Sequence, residues 1–292
     1  MAQPAERPGG LTNLHKRILS AAVLLPATVV AIVLGHPYFD LLVAVFAGIM
    51  AWEWTCVSAN TPNPGETKSL PQPSGAGWRG VAAISVATVE LAVLNEALPW
   101  PHGMVWMVLL AGILVVGAVT LRADRQRAPW FIAGVVYVAT PAMALVAIRS
   151  DPDWGRDAVI WIIALVVAAD TGGYLVGRTV GGPKLAPRIS PNKTWSGLGG
   201  AVAGAALVGL STAFVLNHTN VWMLTLLSAG LGLIEQAGDL AESVFKRHFG
   251  VKDTSRIIPG HGGVLDRVDG LLAVAVVVWI TNKVAGGSVL AW

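Results

Sequence analysis

Two stretches of this sequence gather residue types that could handle phosphate together with a divalent cation. The first runs from Asp170 to Gly197 and reads Asp170-Thr171-Gly172-Gly173-Tyr174, then Gly177-Arg178, Gly181-Gly182-Pro183-Lys184 and Ser190-Pro191-Asn192-Lys193-Thr194-Trp195-Ser196-Gly197. Asp170 lies inside an apolar run, where a carboxylate costs several kcal/mol unless it is paired or hydrated, so it marks a candidate site. Ser190, Lys193 and Thr194 add hydroxyl donors and a cation suited to phosphate oxygens. The glycines let backbone approach a phosphate or another helix closely. The plain alternative is glycine-mediated helix packing with a capping Ser-Pro turn. No Gly-x-x-x-x-Gly-Lys-Ser/Thr pattern is present, so an ATPase loop is not supported.

The second stretch runs from Gly238 to Asp269 and carries Asp239, Glu242, Ser243, Lys246-Arg247, Lys252-Asp253, Ile258-Pro259-Gly260-His261-Gly262-Gly263 and Asp266-Arg267-Val268-Asp269. Asp266 and Asp269 share one face at the start of a helix. Asp239 closes the preceding apolar run, so carboxylates from two adjacent helix ends can converge. Hard oxygen ligands of that kind suit Mg²⁺, which takes one or two carboxylates plus substrate phosphates. Lys246, Arg247, Lys252 and Arg256 would hold the rest of a triphosphate or a lipid phosphate. Gly260, Gly262 and Gly263 could offer backbone N–H groups to an anion, and His261 among them could be a ligand, an acid or simply a phosphate contact. The plain alternative is a salt-bridged loop, but such a loop has no need of the acids.

The elements that must position these residues are membrane spans. Of 292 residues 54% are hydrophobic and only 13% charged, and the mean hydropathy is +0.63. A soluble domain carries about 25% charged residues. A span needs about 20 mainly apolar residues, and such runs occur at roughly 18–35, 38–58, 80–98, 103–121, 129–148, 157–176, 197–216, 221–238 and 264–284. The expected architecture is therefore an all-α, polytopic integral membrane protein of about nine helices, a single transmembrane domain over 1–292. Residues 1–17 form a polar tail, with residues 18–34 a retained first span and not a cleaved leader, and 59–79 a flexible cytoplasmic loop rich in Pro, Gly and Ser. With the N-terminus in the cytoplasm, only Arg149, Arg156 and Lys283 of the 20 lysines and arginines fall outside; this is the positive-inside pattern. It places 177–196 and 239–263 on the cytoplasmic side, where they can meet. The net charge of +3 is spread between spans, which speaks against nucleic acid. The single cysteine, Cys56, excludes an intramolecular disulfide and reads as a packed core residue. Glu53, Glu90 and Glu235, in or near spans, each fit a hydrated cavity, a pair across helices or an interface.

The run Ser243-Val-Phe-Lys246-Arg247, four residues, Lys252-Asp253, then Ile258-Pro259-Gly260-His261-Gly262-Gly263-Val264-Leu265-Asp266-Arg267-Val268-Asp269 resembles the signature of the phosphatidate cytidylyltransferases (CDP-diacylglycerol synthases). Asp170-Thr-x-x-Tyr and Ser190-Pro-x-Lys193-Thr194-Trp195 resemble that family too. The likeness covers about 165–285, which is thereby the expected catalytic region; the first five spans share only hydropathy and length. Ser196 departs from a Glu often found there, and Gly172 and Gly173 stand where Ala is frequent. The resemblance implies that CTP and phosphatidic acid give CDP-diacylglycerol and pyrophosphate with Mg²⁺, in a homodimer with K⁺ as a second metal, in phospholipid biosynthesis at the plasma (inner) membrane. By position Asp239, Asp266 and Asp269 would be the metal-binding acids, with Lys246 beside them. Asp170, Ser190, Lys193, Thr194, Ser243, Arg247, Lys252, Asp253, His261, Gly262, Gly263 and Arg267 would contact substrate. Phosphoryl-type transfer needs positioning and charge neutralisation more than covalent help, so no covalent intermediate is expected, and the acyl chains stay among membrane lipids. Two other classes fit less of the pattern. A transporter would spread ionisable residues through the spans, and a CTP transferase for another lipid phosphate would differ only in its acceptor.

Overall fold

The computed structural model describes residues 13–61, 68, 70–73, 77–98, 103–217 and 220–292; most of the expected N-terminal tail and the middle of the 59–79 loop lie outside them. Among the described residues nine α-helices follow one another. They are α1 (Asn13–Leu34), α2 (Tyr38–Ser58), α3 (Trp78–Ala97), α4 (Gly103–Ala123), α5 (Ala128–Arg149), α6 (Gly155–Thr179), α7 (Trp195–Val215), α8 (Val221–His248) and α9 (Leu265–Ala285). Eight of them, α2 to α9, are long and apolar enough to cross a membrane; the apolar part of α1 is the shorter run Ser20–Leu34. In a bilayer only a helix or a closed barrel satisfies every backbone group within itself, which is why these apolar runs are helical.

Two findings change the expected layout. A short antiparallel hairpin, β1 (Lys184–Ala186) and β2 (Ser190–Thr194), stands between α6 and α7, with Lys184 opposite Thr194 and Ala186 opposite Ser190. It is an addition to the all-α expectation. Furthermore, the polar stretch that begins at Asp239 is not a loop there: α8 continues to His248. The reason is spacing. Glu235, Asp239, Glu242 and Lys246 recur at helical intervals and line one face, where they find partners on other elements. The helix stops only at Phe249-Gly250, where Gly250 takes a left-handed φ of 65°.

Helix α5 runs through the middle of the molecule, with Val138, Ala139, Ala144 and Val146 fully buried. It packs on α2, α3 and α4 on one side and on α9 on the other. The closest seam is α6 on α7. A Cβ added at Gly172 would lie 2.4 Å from the Gly200 carbonyl oxygen, and the converse is equally true; only glycine permits that approach. Helix α7 starts cleanly because the Thr194 hydroxyl accepts the Gly197 N–H at 3.1 Å. Helix α9 has no such local cap; its first N–H groups meet a side chain from α2. Cys56 is buried, as expected of a core residue.

Candidate active site

The polar face of α8 is the base of the site. Asp239, Glu242 and Asp269 of α9 each offer a carboxylate oxygen, and these oxygens lie within 4.8 Å of one another. Helices α8 and α9 approach closely because Gly238 has no side chain: a Cβ there would sit 2.9 Å from the Ala273 Cβ and 3.0 Å from the Asp269 carbonyl oxygen. Glu242 is 1% exposed in its side chain. Lys246 Nζ lies 2.7 Å from Glu242 Oε2 as an ion pair, yet neither Glu242 oxygen receives a directed hydrogen bond within the described residues. Three carboxylates so close together repel one another, and a cation among them would offset that repulsion. The donors are all hard oxygens, which suits Mg²⁺.

Two lysines frame the triad. Lys193, carried by β2, reaches Asp239 Oδ2 at 2.6 Å and donates to Gln236 Oε1 at 2.8 Å. Gln236 in turn donates to Glu235 Oε2 at 2.9 Å, so the hairpin lysine is held from α8 by a short polar chain. Lys246 bridges Glu242 at 2.7 Å and Asp266 at 2.8 Å. Asp266, expected among the metal-binding acids, is held through this same lysine. Its carboxylate is taken by Lys246, by the Thr254 N–H at 3.0 Å and by the Gly263 N–H at 3.0 Å. The structure assembles Asp239 and Asp269 with Glu242, and Asp266 ties the 254–263 loop to α9.

A cavity of about 490 Å³ opens beside the triad, lined by Asp170, Tyr174, Arg178, Lys184, Lys193 and Asp239 among others. Here the two sequence stretches meet, as expected. Asp170 is exposed and lines the cavity. Thr194 is buried as the cap of α7, and Ser190 opens β2. Ser196, the departure from the resembled pattern, hydrogen-bonds through Oγ to the Gly181 carbonyl and so closes the base of the hairpin. Ser243 Oγ donates to Asp239 Oδ1 at 3.3 Å.

Other expected residues face elsewhere. Arg247 donates to the Val251 carbonyl at 2.9 Å and braces its own loop. Lys252 is exposed and Asp253 half-buried in that loop, whose Val251 pairs with Lys68. His261 meets Ser20 of α1, Nδ1 to Oγ at 3.0 Å, while Arg267 Nε donates to the His261 carbonyl at 2.8 Å. Gly262 has a left-handed φ of 90° and its carbonyl accepts the Ile258 N–H at 2.9 Å. Glu90 of α3 has its carboxylate packed over Gly48 of α2. Glu242 and Gln236 are the residues that sequence reasoning passed over. The signal was there for Glu242: it stands at i+3 from Asp239 and i−4 from Lys246.

Comparison with known proteins places this arrangement. A model of the cytidylyltransferase family matches residues 15–285. The chain is similar to a phosphatidate cytidylyltransferase of Brucella suis, 36% identical over 276 residues, covering 94% of this chain and 95% of the relative. Similar too are proteins of the same name from Haemophilus influenzae, 32% identical over 89% of this chain and 95% of the relative, and from Staphylococcus epidermidis, 39% identical over 63% and 74%.

Proposed function

The chain belongs to the cytidylyltransferase family, and from that premise we propose that it is a phosphatidate cytidylyltransferase, converting CTP and phosphatidic acid to CDP-diacylglycerol and pyrophosphate in phospholipid biosynthesis. A phosphate oxygen of the lipid attacks the α-phosphorus of CTP, a new P–O bond forms, and the bond to the β-phosphate oxygen breaks to release pyrophosphate. The observation that carries the reading is the carboxylate triad of Asp239, Glu242 and Asp269 beside a cavity framed by Lys193. Metal dependence goes with this chemistry, and Asp239, Glu242 and Asp269 would hold Mg²⁺, with K⁺ as a second ion. When bound, Mg²⁺ neutralises phosphate charge and polarises the bonds that change.

The chain's own residues supply the rest. Lys193 and Lys184 line the cavity and take triphosphate oxygens, with Arg178 beside them. Lys193 is pre-set by Gln236, so little ordering is needed when substrate arrives. Asp170 adds a further carboxylate to the cavity wall. Asp266 and Lys246 fix the loop that ends at α9, and with it the position of Asp269. Ser243, bonded to Asp239, adds a substrate contact, while His261 and Arg267 brace the loop before α9. Acyl chains remain in the bilayer. The site faces the cytoplasm, the source of CTP, in the plasma membrane of the cell, and two copies pair as a homodimer.

Turnover in detergent micelles with labelled CTP and phosphatidic acid, with Mg²⁺ and with chelator, tests this. Labelled liponucleotide is expected only with Mg²⁺. A folded wild-type protein that makes none, while a Haemophilus relative does so in the same micelles, would overturn the acceptor or the reaction.

A further inference from the structure

We propose that Glu53, on α2, is a positioning residue of this reaction: it sets the N-terminus of α9 and thereby the carboxylates that α9 brings to the site. The proposal rests on the function above for its activity readout and on geometry alone for its binding readout. Glu53 is fully buried, at 0% exposure. Its Oε1 accepts the Val264 N–H at 3.0 Å and the Ser255 hydroxyl at 2.5 Å, and its Oε2 accepts the Leu265 N–H at 2.8 Å. The first turn of a helix leaves N–H groups without internal partners, and α9 lacks a cap of its own. Glu53 fills that place from another helix, 212 residues away in sequence. A carboxylate there is also favoured by the helix dipole, which is positive at this end.

The loop before α9 is held from both sides. Asp266 takes the Thr254 and Gly263 N–H groups from the α9 side, and Glu53 takes Ser255, Val264 and Leu265 from the α2 side. Between them there is no spare room. A Cβ on Gly263 would meet Thr254 Oγ1 at 2.0 Å and Glu53 Oε1 at 2.7 Å. Asp269 lies one helical turn beyond the anchored residues, so a shift of Leu265 is passed along a rigid helix to the triad. Outer partners of this kind change metal affinity or activity by about 10–100-fold when removed. Glu53 thus gives the otherwise apolar first half of the chain a direct hold on the chemistry.

The test uses the full chain in detergent, with Mn²⁺ as the probe ion, bound ion read by electron paramagnetic resonance, alongside turnover and melting temperature. Glu53→Gln keeps size and one acceptor but turns an NH₂ group toward a backbone N–H. The expected result is Mn²⁺ affinity weaker by about 10-fold per folded molecule and turnover lower by about 10–100-fold. Ser255→Ala removes one of the three donors and should weaken Mn²⁺ by a smaller factor, about threefold to tenfold. A residue that only held the fold would lower the melting temperature and leave Mn²⁺ affinity per folded molecule unchanged; that result in Glu53→Gln overturns the proposal. Should Glu53→Gln not fold, Ser255→Ala decides alone: weaker Mn²⁺ supports the proposal, wild-type affinity overturns it. If wild type binds Mn²⁺ with the graded losses above but makes no liponucleotide, the reaction assignment fails and the role of Glu53 in placing the acids stands.

Discussion

Ion pairs among the described residues of the first half are local and sit at helix ends and connections, His36 with Asp40 and Arg127 with Asp124. In α6 to α9 and the hairpin, local pairs such as Lys246 with Glu242 are joined by long-range ones, Lys193 with Asp239 and Lys246 with Asp266. Both halves are helical and apolar by composition, so the difference lies in what holds the helices in register. The first half relies on side-chain packing, as in Trp54 tilted against Tyr137 with ring centroids 4.8 Å apart, and on hydroxyls bonded within their own turn, such as Thr120 to the Val116 carbonyl at 2.6 Å. In the second half, positions are specified by buried charge, which tolerates far less displacement. Glu53 carries the buried-charge kind of hold from the first half into the second.

The comparison can be broken most sharply at the triad. Asp269→Ala is expected to lower turnover by about 10³-fold, since each ~1.4 kcal/mol lost at the transition state is tenfold and a metal-site carboxylate is asked for several kcal/mol; the micelle assay reads this directly. Next in size is Lys246→Met. It leaves Glu242 and Asp266 buried and unpaired, and about 3–5 kcal/mol of stability should be lost, seen as a lower midpoint in thermal or denaturant unfolding in detergent. Gly172→Leu probes the α6–α7 seam, where the side chain has no room beside Gly200; a loss of about 1–3 kcal/mol is expected from overpacking, with turnover per folded molecule falling as Lys193 and Asp239 separate. The smallest effect should come from the first half. Thr120→Val removes a hydroxyl bonded only within its own turn, and both midpoint and turnover should stay within about 0.5 kcal/mol of wild type. A large effect there would mean that the first half too is polar in its specification.

Much of this was legible in the sequence. Apolar runs separated by basic loops predict the helices, because a bilayer admits few alternatives. Asp239, Asp269 and Lys193 stood out because charge beside an apolar run has few bland explanations. Asp266 was harder: i, i+3 spacing puts it on the face of Asp269, but its carboxylate is drawn to Lys246 and to loop N–H groups that no spacing rule foresees. The same holds for Glu53, whose partners are backbone groups more than 200 residues on. The extension of α8 past the apolar run was readable in principle from Glu235, Asp239, Glu242 and Lys246, but polarity masked a helix whose polar face is satisfied by tertiary partners.

The length of α8 has a kinetic consequence. At 28 residues it measures about 42 Å at ~1.5 Å per residue, against a hydrocarbon layer of about 30 Å. Counted from Val221, Asp239 stands about 27 Å along it and Lys246 about 38 Å, so with Val221 at one edge of the hydrocarbon layer the triad would fall near the opposite edge, beside the lipid headgroups. A lipid substrate then meets the site by sliding sideways in its own leaflet, never leaving its neighbours. For such an enzyme the governing variable is the mole fraction of acidic lipid in the surface: diluting it with inert detergent at constant bulk amount slows the reaction, while diluting the whole suspension with buffer barely does.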